Sequence, residues 1–134
     1  MSGGIRDVFA EKLNMSSPEL ERGLRIKTNA MRGGIVENVF ARDITIGEVG
    51  SAIDVDMLYE EGANGPFVPV VRNVRVERMT IEKALRAFFV RGLDSSPVRG
   101  LVVSASVFKS VTKESLLSNS DEIVLRGVTI LPAR

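Results

Sequence analysis

The chain has no cysteine, no histidine and no tryptophan, and only one tyrosine. Without cysteine there is no disulfide framework and no thiolate nucleophile, and the redox compartment stays open. Without histidine there is no Ser-His-Asp or Cys-His triad, and a transition-metal site loses its commonest ligand. Charge of one sign is also missing. Eighteen Lys and Arg stand against 17 Asp and Glu, a formal net of +1, which argues against nucleic acid or a membrane surface as the default partner. No apolar run reaches the length that spans a bilayer. The start, Met1-Ser2-Gly3-Gly4, has neither the basic residues nor the apolar stretch of a secretion signal. What is present is a hydrophobic content of 44% in 134 residues, which describes a core-forming chain of one domain or part of one.

The hydrophobic residues recur at long range. Ile5-Arg6-Asp7-Val8-Phe9-Ala10-Glu11 aligns with Val36-Glu37-Asn38-Val39-Phe40-Ala41-Arg42 and with Val71-Arg72-Asn73-Val74-Arg75-Val76-Glu77. Weaker copies run from Val98 to Phe108 and from Ser120 to Ile130. With Val8, Val39, Val74, Leu101 and Ile123 as anchors, the spacings are 31, 35, 27 and 22 residues, within the range of solenoid repeats. In the first three copies a polar turn (Arg6-Asp7, Glu37-Asn38, Arg72-Asn73) precedes alternating apolar residues, the signature of a strand bounded by a turn. A second strand-like piece lies between anchors, at Leu24 to Lys27, Ala52 to Leu58, Ala87 to Leu93 and Val111 to Leu117. Thr45, Thr80 and Thr129 hold one repeat position, as an outward strand residue would. The pattern predicts an all-β parallel β-helix of about four to five coils. The rival is an α/β domain with helices at Glu19 to Lys27 and Ile81 to Phe89, where Ile81-Glu82-Lys83-Ala84-Leu85-Arg86-Ala87 carries good helix formers. It leaves the recurrence of the anchors unexplained.

Three features are candidates for chemistry. In Gly23-Leu24-Arg25-Ile26-Lys27-Thr28-Asn29 two cations alternate with two aliphatic residues, so a strand turns Arg25 and Lys27 outward together. Such a pair can hold a carboxylate, bidentately through Arg and as a point charge through Lys. It can equally be a solvated face paired with Glu19, Glu21 or Glu48. In Ile53-Asp54-Val55-Asp56-Met57 the two Asp fall on one outward face about 6.6 Å apart. That spacing suits an inverting carboxylate pair, or a calcium site, or nothing more than an exposed strand. The segment Tyr59 to Pro69, with two Gly, two Pro and an Asn, reads as a loop, and loops on a rigid solenoid tend to carry binding residues. Of Phe88 and Phe89, at least one is expected in the core.

Several stretches together give a family resemblance: Ser2-Gly3-Gly4-Ile5-Arg6-Asp7-Val8, Arg25-Ile26-Lys27-Thr28, Arg32-Gly33-Gly34-Ile35-Val36-Glu37-Asn38 and Leu58-Tyr59-Glu60-Glu61-Gly62. Over almost its whole length the chain resembles the last coils of glycoside hydrolase family 28, the polygalacturonases and related pectin hydrolases. The resemblance implies a right-handed parallel β-helix, pectic oligo- or polysaccharide as partner, hydrolysis with inversion, no cofactor or metal, and a secreted or periplasmic parent. It also implies that Arg25 and Lys27 bind a galacturonate carboxylate near the cleavage point, with Tyr59 lining the same cleft. The chain departs from the family in one respect that decides mechanism: it has no Asn-Thr-Asp, no Asp-Asp pair and no Gly-His-Gly. Inverting hydrolysis needs two carboxyls about 6.5–9.5 Å apart, one protonated and one ionised. The expectation is a single partial β-helix domain over residues 1–134, truncated on its N-terminal side, that holds substrate and does not cut it. Its uncovered first coil is expected to self-associate. The alternative is a non-catalytic β-helix module that binds acidic polysaccharide or serves in assembly.

Overall fold

A computed structural model of the chain describes residues 4–15, 20–27, 34–58 and 67–133. Ten strands follow in order: β1 (Gly4–Met15), β2 (Arg22–Lys27), β3 (Ile35–Asp56), β4 (Val70–Arg91), β5 (Val98–Ser104), β6 (Val107–Val111), β7 (Leu116–Ser118), β8 (Ser120–Asp121), β9 (Val124–Arg126) and β10 (Thr129–Pro132). Every pairing between these strands is parallel. The path winds into a three-sided coil, and successive coils stack as rungs about 4.8 Å apart. The first side is five rungs deep, through β1, β3, β4, β5 and the β8–β9 segment. The third is four deep, through β2, β3, β4 and β7.

The anchors stack as the repeat predicts. Val8 pairs with Val39, Val39 with Val74, and Val74 with Leu101, while Val102 opposite Val124 brings Ile123 under Leu101. The threonine column also holds: Thr45 pairs with Thr80, and both Thr80 and Thr129 pair with Val107. Among the described residues no helix forms at 20–27 or at Ile81 to Phe89. Arg22–Lys27 and all of Ile81–Phe89 are strand, because Ile81, Ala84, Ala87 and Phe88 each fill an existing column of the core. Tertiary packing overrides a helix propensity worth only tenths of a kcal/mol per residue.

Two corners of each coil are made by residues in the left-handed region. The first corner is Asp7, Asn38, Asn73, Gly100 and Glu122, with φ of 54, 56, 55, 67 and 55°. The second is Lys12, Asp43, Arg78, Ala105 and Gly127, at 55, 56, 53, 49 and 61°. At the first, side-chain amides form a ladder: Asn73 Nδ2 donates to Asn38 Oδ1 at 2.6 Å, and Asn38 Nδ2 donates to Asp7 Oδ1 at 3.1 Å. Asn and Asp tolerate this conformation better than other side chains, and Gly100 needs it without a Cβ, which would stand 3.3 Å from the Asn73 nitrogen. At the second, Arg78 reaches Asp43 through two bonds of 2.6 and 3.1 Å and lowers the Asp43 pKa below the usual carboxylate range, chiefly by hydrogen bonding. Charged columns run between corners, as in Arg6–Glu37–Arg72 and Glu11–Arg42. Exposed pairs of this kind add little stability, but they penalise a slipped register.

Inside, Ile46, Ile53, Met57, Met79, Ile81, Leu101 and Phe108 are fully buried. Phe88 joins them and meets Phe108 edge to face at 5.4 Å. Burial fades toward β1, where Ile5, Val8, Phe9 and Leu13 are 43, 39, 71 and 42% exposed.

Candidate functional site

The third side of the coil carries the residues singled out in the sequence. β2 lies in register on β3, with Leu24 over Ile53, Arg25 over Asp54, Ile26 over Val55 and Lys27 over Asp56. The next rung puts Phe89 under Asp54 and Arg91 under Asp56. Ile53, Val55 and Val90 are core, so alternation turns Arg25, Lys27, Asp54, Asp56, Phe89 and Arg91 to the outer surface. Arg25 and Lys27 are exposed and Ile26 between them is 8% exposed. β2 can lie this close because Gly23 has no side chain: a Cβ there would meet the Ala52 carbonyl oxygen at 2.6 Å and Ile46 Cδ1 at 2.8 Å. Of the acids that a solvated-face reading would pair with the two cations, Glu21 bonds Arg22 at 2.5 Å and Glu48 lies 3.7 Å from Lys83.

Asp54 and Asp56 share one strand face, as their spacing predicts, but they are not an open pair. Asp54 is only 2% exposed. Its Oδ2 accepts from Arg22 Nε at 3.0 Å, and its Oδ1 is buried without a hydrogen bond from the described residues. That bond is the main cause of the raised Arg22 pKa. Asp56 is clamped by Arg91, whose Nε and Nη2 donate at 3.2 and 2.7 Å, and it accepts the Leu58 amide at 2.9 Å. Each carboxylate is bonded to a guanidinium and neither stands open on the surface, so the catalytic reading of this pair is withdrawn. No group of three or more Asp or Glu assembles among the described residues. The sequence reading missed Arg22 and Arg91 as their partners. Phe89 divides from Phe88: it is half-buried on the outer face, its ring 5.1 Å from the Arg91 guanidinium carbon. Tyr59 lies outside the described residues.

A larger groove, about 750 Å³, lies at the first corner and is lined by Glu37, Arg72, Arg75, Arg99 and Glu122 among others. Its charges are mixed and partly paired, Arg72 with Glu37 at 2.6 Å and Arg99 with Asp121 at 4.0 Å.

No protein-family profile matches the chain. A probable polygalacturonase of Vitis vinifera is 32% identical over 108 residues, which is 78% of this chain and 22% of that protein. The crystal structure of a hyperthermoactive exopolygalacturonase from Thermotoga maritima superposes with a TM-score of 0.79 at 27% identity, covering 92% of this chain and 28% of that one. The chain thus spans between a fifth and a third of the length of these relatives. Their likeness runs through sequence and coil stacking alike. The chain is a homologue of part of these polygalacturonases, with a parallel β-helix fold.

Proposed function

We propose that the chain is the carboxy-terminal, substrate-holding part of a polygalacturonase-like hydrolase, and that Arg25 and Lys27 bind the carboxylate of a galacturonate unit, with Tyr59 in the same cleft. The observation that carries this reading is the placing of Arg25 and Lys27: both exposed, two residues apart on a strand fixed by Gly23 and Ile26, each in register above a carboxylate. Hydrogen bonds to a charged partner contribute roughly 1.5–3 kcal/mol each, enough to fix one acidic sugar on a shallow surface. In this reading the described residues supply neither the general acid nor the water-activating base of inverting hydrolysis.

The test is isothermal titration of trigalacturonate into the chain, with a reducing-sugar assay on polygalacturonic acid alongside. Weak binding that disappears in Arg25→Ala, Lys27→Ala, without hydrolysis, is the expected result. Hydrolysis that vanishes in Asp54→Asn contradicts the reading. Self-association through β1 is a second expected behaviour, because that strand has apolar side chains and no described strand on its outer edge. Light scattering after size exclusion should show mass rising with concentration. A clean monomer at high concentration contradicts it.

A further inference from the structure

The groove of about 750 Å³ at the first corner shares no lining residue with the columns of Arg25 and Lys27. It opens where the corner loses a side chain. Asp7, Asn38 and Asn73 stand one above another, and Gly100 interrupts the line before Glu122 resumes it. A φ of 67° and the 3.3 Å approach of a Cβ to the Asn73 nitrogen favour glycine at that position. The gap is built into the coil.

Three arginines stand around it. Arg72 and Arg99 are in register on adjacent rungs before the corner, and Arg75 follows the corner. The column before the corner alternates in sign from Arg6 through Glu37 to Arg72, with contacts of 3.0 and 2.6 Å. It breaks at the next rung, where Arg99 follows Arg72 about 4.8 Å away. Like charges directly opposite destabilise a strand pair. Asp121, one rung further on, reaches Arg99 only at 4.0 Å, and both of those side chains are exposed. Arg75 has no described carboxylate within 4.0 Å and donates its Nε to Asn73 Oδ1 at 3.3 Å. In all three arginines the closest contact is through Nε, so the terminal amino groups remain as donors. An anion set among them removes the repulsion that the column leaves standing.

The spread of the cations selects the anion. A planar carboxylate matches one guanidinium fork. A phosphate group offers three acceptor oxygens and about two charges, which suits guanidinium groups on both flanks of a corner. The groove is also larger than a bare anion needs and falls in the size range of small-molecule pockets. Val68, exposed, and Val102, in register under Arg75, give it an apolar wall.

We propose that the first corner is a binding site for a phosphate group, free or as the monoester of a small organic molecule, held by Arg72, Arg75 and Arg99 over Gly100. Val68 and Val102 lie against the body of the ester. Glu122 lines the same groove with the opposite sign and weakens the site. The site goes beyond the galacturonate reading of the third side and does not depend on it.

The experiment follows the Asn73 and Gly100 amides by NMR at constant ionic strength while inorganic phosphate, glucose 6-phosphate and galacturonate are titrated in turn. It compares the parent chain with Arg75→Gln, Arg99→Gln, Glu122→Gln and the Arg25→Ala, Lys27→Ala double variant. Thermal melts confirm that each variant is folded. Both phosphates are expected to move the two amides saturably, and galacturonate to move them far less. Arg75→Gln and Arg99→Gln should each weaken phosphate roughly ten-fold, and Glu122→Gln should tighten it roughly two-fold. The double variant should bind phosphate as the parent chain does. Tighter binding of glucose 6-phosphate than of inorganic phosphate supports the monoester, and equal affinity overturns that part and leaves a site for the free anion. No saturable shift, affinity untouched by Arg99→Gln, or galacturonate equal to phosphate at these amides overturns the inference and leaves the third side as it stands.

Discussion

Phe108→Ala is expected to lower the free energy of unfolding by about 3–5 kcal/mol, the range for emptying an aromatic core site. The ring is fully buried and stands in the column beneath Ile81, with Phe88 edge-on at 5.4 Å. A β-helix cannot close such a void easily, because each side chain is held on a rung whose neighbours fix its height. The loss should be local as well as global. β6 carries Phe108 and supports β10, with Val107 against Thr129 and Phe108 against Ile130, so the last rung should show the largest gain in amide exchange. Chemical denaturation of the variant beside the parent chain measures the first effect, and hydrogen exchange the second. A loss below about 1 kcal/mol would mean that the carboxy-terminal rungs relax around the site and are not packed as described.

Arg22→Ala is expected to cost about 2–3 kcal/mol, more than a surface arginine is worth. Its Nε is the donor to the Asp54 side chain, which is 2% exposed and already has one oxygen without a hydrogen bond. Removing the guanidinium leaves a buried charge stripped of that bond, whereas an exposed ion pair such as Lys109–Glu82 at 3.4 Å can be deleted at almost no cost. If the buried charge is the cause, Arg22→Ala, Asp54→Asn should recover much of the loss, since an amide is far cheaper to bury than a carboxylate. Denaturation of both variants decides this. A double variant no more stable than the single one would place the cost in lost arginine packing.

How far the sequence reveals this molecule depends on whether the signal is repeated. The anchor column from Val8 to Ile123 and the threonine column are legible because stacking in register demands similar residues at one height. The first corner is legible for the same reason: Asp7, Asn38 and Asn73 are residue types that accept a left-handed backbone. The second corner is not, because Lys12, Asp43, Arg78, Ala105 and Gly127 share a backbone angle without sharing chemistry. A helix at Ile81 to Phe89 is suggested by local propensity and cancelled by partners 27 to 35 residues away.

The site divides along the same line. Arg25 and Lys27 stand outward as strand alternation requires, and the outward face of Asp54 and Asp56 is read correctly too. What covers the two acids is invisible locally. Arg22 lies 32 residues before Asp54 and Arg91 lies 35 after Asp56, and only the register of the rungs brings them together. The separation of Phe88 from Phe89 follows from the two-residue period, but which of the two is core is set by the phase of Ile53 and Val55 above them.

The central claim is that the outer surface of the third side holds an acidic sugar by its carboxylate. The most direct measurement is a crystal structure of the chain soaked with trigalacturonate. The expected result is a carboxylate group within hydrogen-bonding distance of both Arg25 and Lys27, on the outer surface of the third side. An oligosaccharide seated at the first corner among Arg72, Arg75 and Arg99, with the third side empty, would contradict it.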